Sequence, residues 1–256
     1  MSGAAPTLSV VLPAFRAADL IARHVPPLRA HLDARKVAHE IVVADDGSDD
    51  GGETRRIAEQ LGLGYVAHDR NRGKGAAVRL GMARARGRFR FYTDADVPYE
   101  FDTFDRFLYY LEKKEFHIVA GDRNLAGSSY FAEVGPLRRA ASHAYSFVVG
   151  RFVAGGWFDT QCGMKGFRAA VAEDLFAVSR VDRFAIDVEL LYVALQRNYD
   201  IKRLPVRLRC QEGSSVRVLR DGIVAVADLG RIGLHQALGH YAPRAAIDLG
   251  LDDWKR

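Results

Sequence analysis

Short apolar runs alternate with longer segments of helical periodicity through the first half of the chain. Leu8-Ser9-Val10-Val11-Leu12 is a compact apolar run closed by Pro13, and Glu40-Ile41-Val42-Val43-Ala44 is a second. Each has the length and character of a strand buried on both faces. Between them, Ala18 to Lys36 is helical in pattern, with Pro26-Pro27 expected to interrupt the helix or to start its second part. A helix from Glu53 to Leu61 then leads to a short strand near Tyr65. Another helix opens in Asn71-Arg72-Gly73-Lys74-Gly75-Ala76-Ala77 and runs to Arg86. A strand through Phe89-Arg90-Phe91-Tyr92, a helix from Phe101 to Lys113 and a strand from His117 to Gly121 complete the series. This β-α-β-α rhythm predicts an α/β fold: a mixed, mostly parallel sheet with helices on both faces.

The second half is less regular. Leu137 to Val153, Ala169 to Val178, Phe184 to Asn198 and Gly222 to Leu238 are helical in pattern, and Gly163 to Phe167 is a short strand containing Lys165. Ile201 to Cys210 alternates as a strand, with Pro205 marking an edge or a bulge. Residues 1–215 are expected to form one domain, with 216–256 a C-terminal amphipathic helical extension. Leu219, Ile223, Val226 and Leu229 recur at helical spacing among Arg217, Arg220 and Arg231. Two readings of that extension stand side by side: a helix lying on an anionic membrane surface, and a terminal helix packed on the domain.

The polar clusters fall where the predicted strands stop, and ligands of such sheets bind at the carboxyl ends of strands. After the strand at 89–92 comes Thr93-Asp94-Ala95-Asp96, two carboxylates one residue apart. Alternation within a strand would aim them to the same side. Paired hard oxygens suit Mg²⁺ or Mn²⁺ shared with substrate phosphates. After the second strand comes Asp45-Asp46-Gly47-Ser48-Asp49-Asp50-Gly51. Asp45 or Asp46 can accept from a nucleobase or ribose, while Asp49 is a candidate cap for the following helix. The Gly-rich run with Lys74 precedes a helix and suits phosphate, although it is no Walker A sequence. Downstream, Arg123, Arg138-Arg139 and Lys165 through Arg168, accompanied by Ser128, Ser129 and Ser142, offer cations and hydroxyls for a second phosphate. Asp187 and Glu189 lie on one helix without sharing a face.

Composition narrows the classes. The chain has 256 residues, 48% hydrophobic and 27% charged, with a net charge of +5. The charge favours an anionic partner. The basic residues form no run with interleaved aromatics, which argues against nucleic acid. Two cysteines make no disulfide framework, and a reducing, cytoplasmic setting is expected. No signal-peptide pattern and no apolar run of spanning length occurs, so any membrane contact is expected to be peripheral, on the cytoplasmic face. Zinc-site spacing and the G-x-S-x-G hydrolase signature are absent.

Taken together, Val10-Val11-Leu12-Pro13-Ala14-Phe15, Ile41 to Gly51, Asn71 to Ala77 and Tyr92 to Asp96 resemble the family 2 glycosyltransferases, which have the GT-A fold. Asp159-Thr160-Gln161-Cys162-Gly163-Met164-Lys165-Gly166-Phe167 and Arg183 to Tyr192 are similar to the dolichyl- or polyprenyl-phosphate β-glucosyltransferase branch. The resemblance implies an inverting transferase that moves a hexose, glucose from UDP-glucose, onto a polyprenyl phosphate with a divalent metal. It places Asp94 and Asp96 on Mg²⁺ or Mn²⁺. The donor would meet Pro13, Phe15, Asp45, Asp46, Lys74, Asp94, Ala95 and Asp96. The acceptor phosphate would meet Arg123, Ser128, Ser129, Arg138, Ser142 and Gln161, with Asp96, Asp159 and Lys165 at the reacting centre.

Arg16-Ala17 stands where the family has Asn-Glu, which removes a carboxylate beside the nucleotide. Pro98 stands where mannosyl relatives have Gln, which favours the glucose-type branch. A phosphate acceptor is already an anion near neutral pH and needs no strong base, whereas a hydroxyl acceptor needs one, for which Asp159 or Asp187 is the candidate. Two rivals follow: a GT-A transferase acting on a hydroxyl, and a nucleotidyltransferase releasing pyrophosphate.

Overall fold

The computed structural model describes residues 5–129, 149–151, 155–157, 159–209 and 218–242, with 218–226 as backbone alone. Arg138, Ser142 and Cys210 lie outside the described residues, as does the expected helix at 137–153 apart from 149–151, which are helical.

Seven strands, β1 (Leu8–Ala14), β2 (His39–Asp45), β3 (Gly64–Ala67), β4 (Phe89–Tyr92), β5 (Ile118–Asp122), β6 (Lys165–Arg168) and β7 (Ile201–Pro205), make one sheet in the order β3-β2-β1-β4-β6-β5-β7. β6 runs antiparallel to both β4 and β5; the other pairings are parallel. Its reversal carries a consequence for the site. The carboxyl ends of β1, β2, β4 and β5 share an edge with the amino end of β6, so residues just before Lys165 meet residues just after Tyr92 and Asp122.

Helices α1 (Ala18–Ala34), α2 (Glu53–Gln60) and α4 (Asp102–Glu112) cover one face, and α3 (Lys74–Arg84), α5 (Ala169–Val178), α6 (Ile186–Gln196) and α7 (Val218–Ala237) accompany the other. The apolar strands divide by parity between two cores. Val10, Leu12, Ile41, Val43 and Phe91 join the α1/α4 side, while Val11, Val42, Ala44 and Tyr92 join the α3/α5/α6 side. Continuous apolar runs are what a sheet buried on both faces requires.

Three expectations are corrected. α1 is unbroken through Pro26 and Pro27. Both prolines are exposed, as are Ala22 and Arg23, the residues four positions earlier to whose carbonyls a proline cannot donate. The strand after Asn198 ends at Pro205, which has no N–H to continue the ladder; only isolated bridges, Ser129 to Arg207 and Tyr99 to Leu208, extend it. The helix expected to open at Asn71 starts at Lys74, because Arg72 and Gly73 give their N–H groups to Asp46.

In the C-terminal extension, Leu229, Ile232 and Tyr241 pack against the α6-side core. The Tyr241 hydroxyl donates to Glu189 at 2.6 Å and the Arg197 guanidinium to the Tyr241 carbonyl at 3.1 Å. Leu234 and Leu238 are exposed. No helix among the described residues is long and apolar enough to cross a membrane.

Candidate active site

β4 ends at Tyr92, so Asp94 and Asp96 lie in a loop rather than on a strand. Strand alternation therefore does not aim them; their surroundings do. Lys74, the first residue of α3, places its ammonium 2.6 Å from Asp94 Oδ1. Burial pulls the Lys74 pKa down, but Asp94 and Asp187 outweigh it and hold the ammonium above its ordinary value. Asp94 Oδ2 lies against Gly163, where a Cβ would sit 2.2 Å from it. The Gly163 N–H donates to the Tyr99 hydroxyl (3.1 Å), which also contacts Cys162 Sγ (3.3 Å). Gly163, two residues before β6, thus marks a close approach. Tyr99 and Gly163 were not singled out from the sequence, although a glycine in a strand pattern is the signal that points to one of them.

The Asp45–Asp46 turn is committed to its own chain. Asp45 Oδ1 accepts from the Ser48 N–H (2.9 Å) and hydroxyl (2.7 Å), and Oδ2 from Tyr65 (2.8 Å). Asp46 accepts from the Arg72 and Gly73 N–H groups at 2.9 and 2.7 Å. Both side chains are buried. The Asp46 carboxylate shapes the loop that presents Lys74, and that of Asp45 shapes its own turn. Asp50, not Asp49, caps α2, taking N–H groups of Gly52, Glu53 and Thr54. Asp49 instead forms a two-pronged ion pair with Arg16, whose guanidinium also lies over the exposed Phe15 ring. The Arg16 N–H donates to Ser48 at 2.7 Å, which ties the β1 and β2 exits together. Pro13 is on β1, at the same edge, and Ala95 lies buried between the two acids.

Further along the same sheet edge, Arg123 follows β5 and grips Asp159. Its guanidinium reaches both carboxylate oxygens, at 2.6 to 3.1 Å, and its N–H adds a bond of 2.6 Å to Oδ2. Burial works against the Arg123 charge, yet Asp159 outweighs it and raises its pKa. Asp159 is therefore a buried partner rather than a free base. Gln161 is half-buried nearby in sequence. The Ser128 hydroxyl donates to the Asp122 carbonyl (2.8 Å) and accepts from the Val206 N–H (3.1 Å), so it is spent on structure; Ser129 is half-buried and bridges to Arg207.

Lys165 departs most from its expected place at the reacting centre. It is fully buried, donating to the Cys162 carbonyl (2.8 Å) and to Asp187 Oδ1 (2.5 Å). Tyr92 donates to that same oxygen at 2.5 Å. Lys165 thus ties the start of β6 to α6. Glu189 points away and receives the Arg180 and Val181 N–H groups.

Among the described residues, no group of three or more His, Cys, Asp and Glu side chains is placed to hold a metal ion. Two carboxylate-bearing loop residues without a third acid fit Mg²⁺ or Mn²⁺ that completes its shell with diphosphate oxygens and water, and do not fit a protein-only cage.

Among solved structures, glucosyl-3-phosphoglycerate synthase from Mycobacterium tuberculosis, in complex with Mn²⁺, UDP-glucose and phosphoglyceric acid, superposes with a TM-score of 0.65 at 19% identity, covering 89% of this chain and 80% of that one. The shared architecture is the GT-A fold. Dolichyl-phosphate beta-glucosyltransferase of Dictyostelium discoideum is 31% identical over 80% of this chain, which spans 65% of that relative's length. The Drosophila melanogaster protein of the same name is 29% identical, over 91% of this chain and 76% of its own. The model of Glycosyl transferase family 2 matches residues 9–176, across both the Lys74–Asp94 and Arg123–Asp159 pairs, and the chain belongs to that family.

Proposed function

We propose that the chain transfers glucose from UDP-glucose, with inversion, onto a dolichyl or other polyprenyl phosphate. The observation that carries this reading is the 2.6 Å contact between Lys74 and Asp94, which brings the loop before α3 and the paired acids after β4 into one cleft. The names of the curated relatives support the acceptor and the sugar. The UDP-glucose and Mn²⁺ bound by the mycobacterial structural neighbour support the donor and metal.

The donor's base and ribose lie against Pro13, Phe15 and the Asp45–Asp46 turn. Its diphosphate lies by Lys74 and the metal that Asp94 and Asp96 would hold. Bound there, the metal neutralises charge on the departing diphosphate. An oxygen of the acceptor phosphate attacks C1 of the sugar. The C1–O bond to the diphosphate breaks, and its electron pair leaves with UDP. The acceptor phosphate is ionised near neutral pH, with a second pKa of about 6, so the attack takes no proton from it. This agrees with the commitments of the two candidate bases: Asp159 is held by Arg123, and Asp187 by Lys165 and Tyr92. Arg123, oriented by Asp159, attracts the acceptor phosphate, and catalysis rests on positioning and charge. Leu234 and Leu238 on α7 and just past it supply apolar contacts for peripheral binding to the bilayer that holds the acceptor.

The test incubates the protein with Mn²⁺ and UDP-, GDP- and dTDP-sugars, with polyprenyl phosphate or hydroxyl acceptors, and identifies products by mass. Glucosyl phosphoryl polyprenol formed from UDP-glucose is expected. Transfer to hydroxyl compounds alone overturns the phosphate acceptor, and release of pyrophosphate overturns the reaction class.

A further inference from the structure

Residues 206–209, directly after β7, are hydrogen-bonded on two sides. Toward the turn after β5, the Ser129 N–H donates to the Val206 carbonyl (3.2 Å) and the Leu208 N–H to the Ser129 carbonyl (3.1 Å). Toward the segment after Asp96, the Glu100 N–H donates to the Arg207 carbonyl (2.9 Å) and the Arg209 N–H to the Pro98 carbonyl (2.8 Å). One strap of four residues therefore joins the acceptor-side turn to the carboxylate loop.

That loop holds a strained residue. Val97 has φ +41° and is fully buried. A β-branched side chain is a clear outlier there, and such a conformation persists only where the surroundings over-determine it. The surroundings do so. The Val97 N–H donates to the Asp94 carbonyl (2.9 Å), its side chain sits in the α1/α4 core, and its carbonyl accepts from the Arg209 guanidinium (3.4 Å). Arg209 is fixed in turn, stacked 4.7 Å over the Phe101 ring and 3.1 Å from His24 Nδ1.

We infer that Arg209 is a positioning residue for the Asp94–Asp96 loop, and that the 206–209 strap sets that loop's placement relative to the Arg123 side of the cleft. What the loop holds rests on the function proposed above. The strap meets the loop at the Val97 and Pro98 carbonyls and the Glu100 N–H. It acts by keeping Val97 in a conformation that an unclamped chain would leave, so loosening it lets the acids drift from the geometry that a metal and diphosphate need.

The experiment uses the full chain with Arg209→Ala, Arg209→Lys and Val97→Gly. Amide hydrogen exchange of residues 93–100 is measured without ligand, and Mn²⁺ affinity with UDP by electron paramagnetic resonance. Arg209→Ala is expected to speed exchange in 93–100 by about tenfold and to weaken Mn²⁺ binding by about fivefold, somewhat less than loss of a group that contacts a ligand directly. Arg209→Lys falls between, because an ammonium lacks the planar fork that stacks and donates together. Val97→Gly takes the positive φ without strain and leaves Arg209 unaltered, so the losses of Arg209→Ala are expected to shrink in a Val97→Gly background, and Arg209→Lys carries the test if Arg209→Ala folds poorly. Unchanged exchange, or faster exchange with unchanged Mn²⁺ affinity, overturns the inference. If the unmutated chain binds Mn²⁺ with none of UDP, GDP and dTDP, the donor reading falls and the strap's role falls with it, an outcome the unmutated control tells apart from failure of the strap.

Discussion

Lys165 Nζ lies 2.5 Å from Asp187 Oδ1, with the two side chains at 0% and 4% exposure. The pair joins the start of β6 to α6, and the Tyr92 hydroxyl at the end of β4 completes it. Removing one partner leaves a buried charge without its counterion, which costs about 3–5 kcal/mol. Lys165→Met and Asp187→Asn are each expected to lose stability of that order in urea denaturation. The double variant Lys165→Met/Asp187→Leu is expected to recover most of it, since no lone charge remains. A Lys165→Met chain as stable as the unmutated one would show that the pair is not a support.

Arg16 and Asp49 offer the opposite case. Both are exposed, and each holds the other charged: hydrogen bonding to Asp49 raises the Arg16 pKa, and hydrogen bonding to Arg16 lowers that of Asp49. Solvent screening leaves such a pair with little to contribute to folding. In the donor site proposed above, its position between the β1 and β2 exits, beside Phe15, puts it next to the nucleotide. Arg16→Ala and Asp49→Ala are expected to leave the thermal midpoint unchanged while weakening UDP binding, measured by calorimetry. The double variant should lose no more than either single one, because the pair acts as a unit. Additive losses would separate the two residues.

The uneven legibility of the sequence has physical causes. β1 and β2 are apolar at consecutive positions because both of their faces are buried, and that pattern needs no partner to be read. β6 has no such run. Lys165-Gly166-Phe167-Arg168 becomes a central strand only through its neighbours, with Asp187 neutralising the lysine, so neither its antiparallel direction nor the meeting of Arg123 with Asp159 follows from local pattern. The acids after β2 were legible as a cluster but not in their division of labour. A one-residue step along the turn decides that Asp50 caps α2 while Asp49 reaches Arg16. The gathering of Asp46, Lys74 and Asp94 was legible, because parallel strands put their exits on one edge.

Glu40 makes a pH-dependent contribution. Burial pushes its carboxyl up, but bonds from the Ser9 hydroxyl and from the Arg86 N–H and guanidinium outweigh this and hold its pKa below the ordinary value. A depressed carboxyl means that the unfolded chain binds the proton more readily. The stability it contributes is present above its unfolded pKa of about 4.3 and is lost as pH falls through the folded value. Glu40→Gln is expected to be less stable than the unmutated chain by about 1–2 kcal/mol at pH 7. The gap should close on acidification below about pH 4. Denaturation curves at pH 7, 5 and 3.5 check it, and a gap independent of pH would assign the loss to packing.

Gly163 is the strictest steric requirement at the acids. A Cβ there would stand 2.2 Å from Asp94 Oδ2, well inside contact distance, and 3.1 Å from its Cγ. The backbone of Gly163 is not in the left-handed region, so alanine meets no conformational penalty of its own and its effect is confined to the clash. Asp94 can relieve it only by swinging its carboxylate away, which also breaks the 2.6 Å contact with Lys74. Gly163→Ala is therefore expected to keep its thermal midpoint within a few degrees, as a displacement costing about 1 kcal/mol would. The glucosyl transfer proposed above should fall about 100-fold, the scale of losing one preorganised electrostatic contact. Asp96→Asn should fall at least as far with an unchanged fold. If Gly163→Ala transfers glucose at the original rate, the placement of Asp94 against β6 has no part in the reaction.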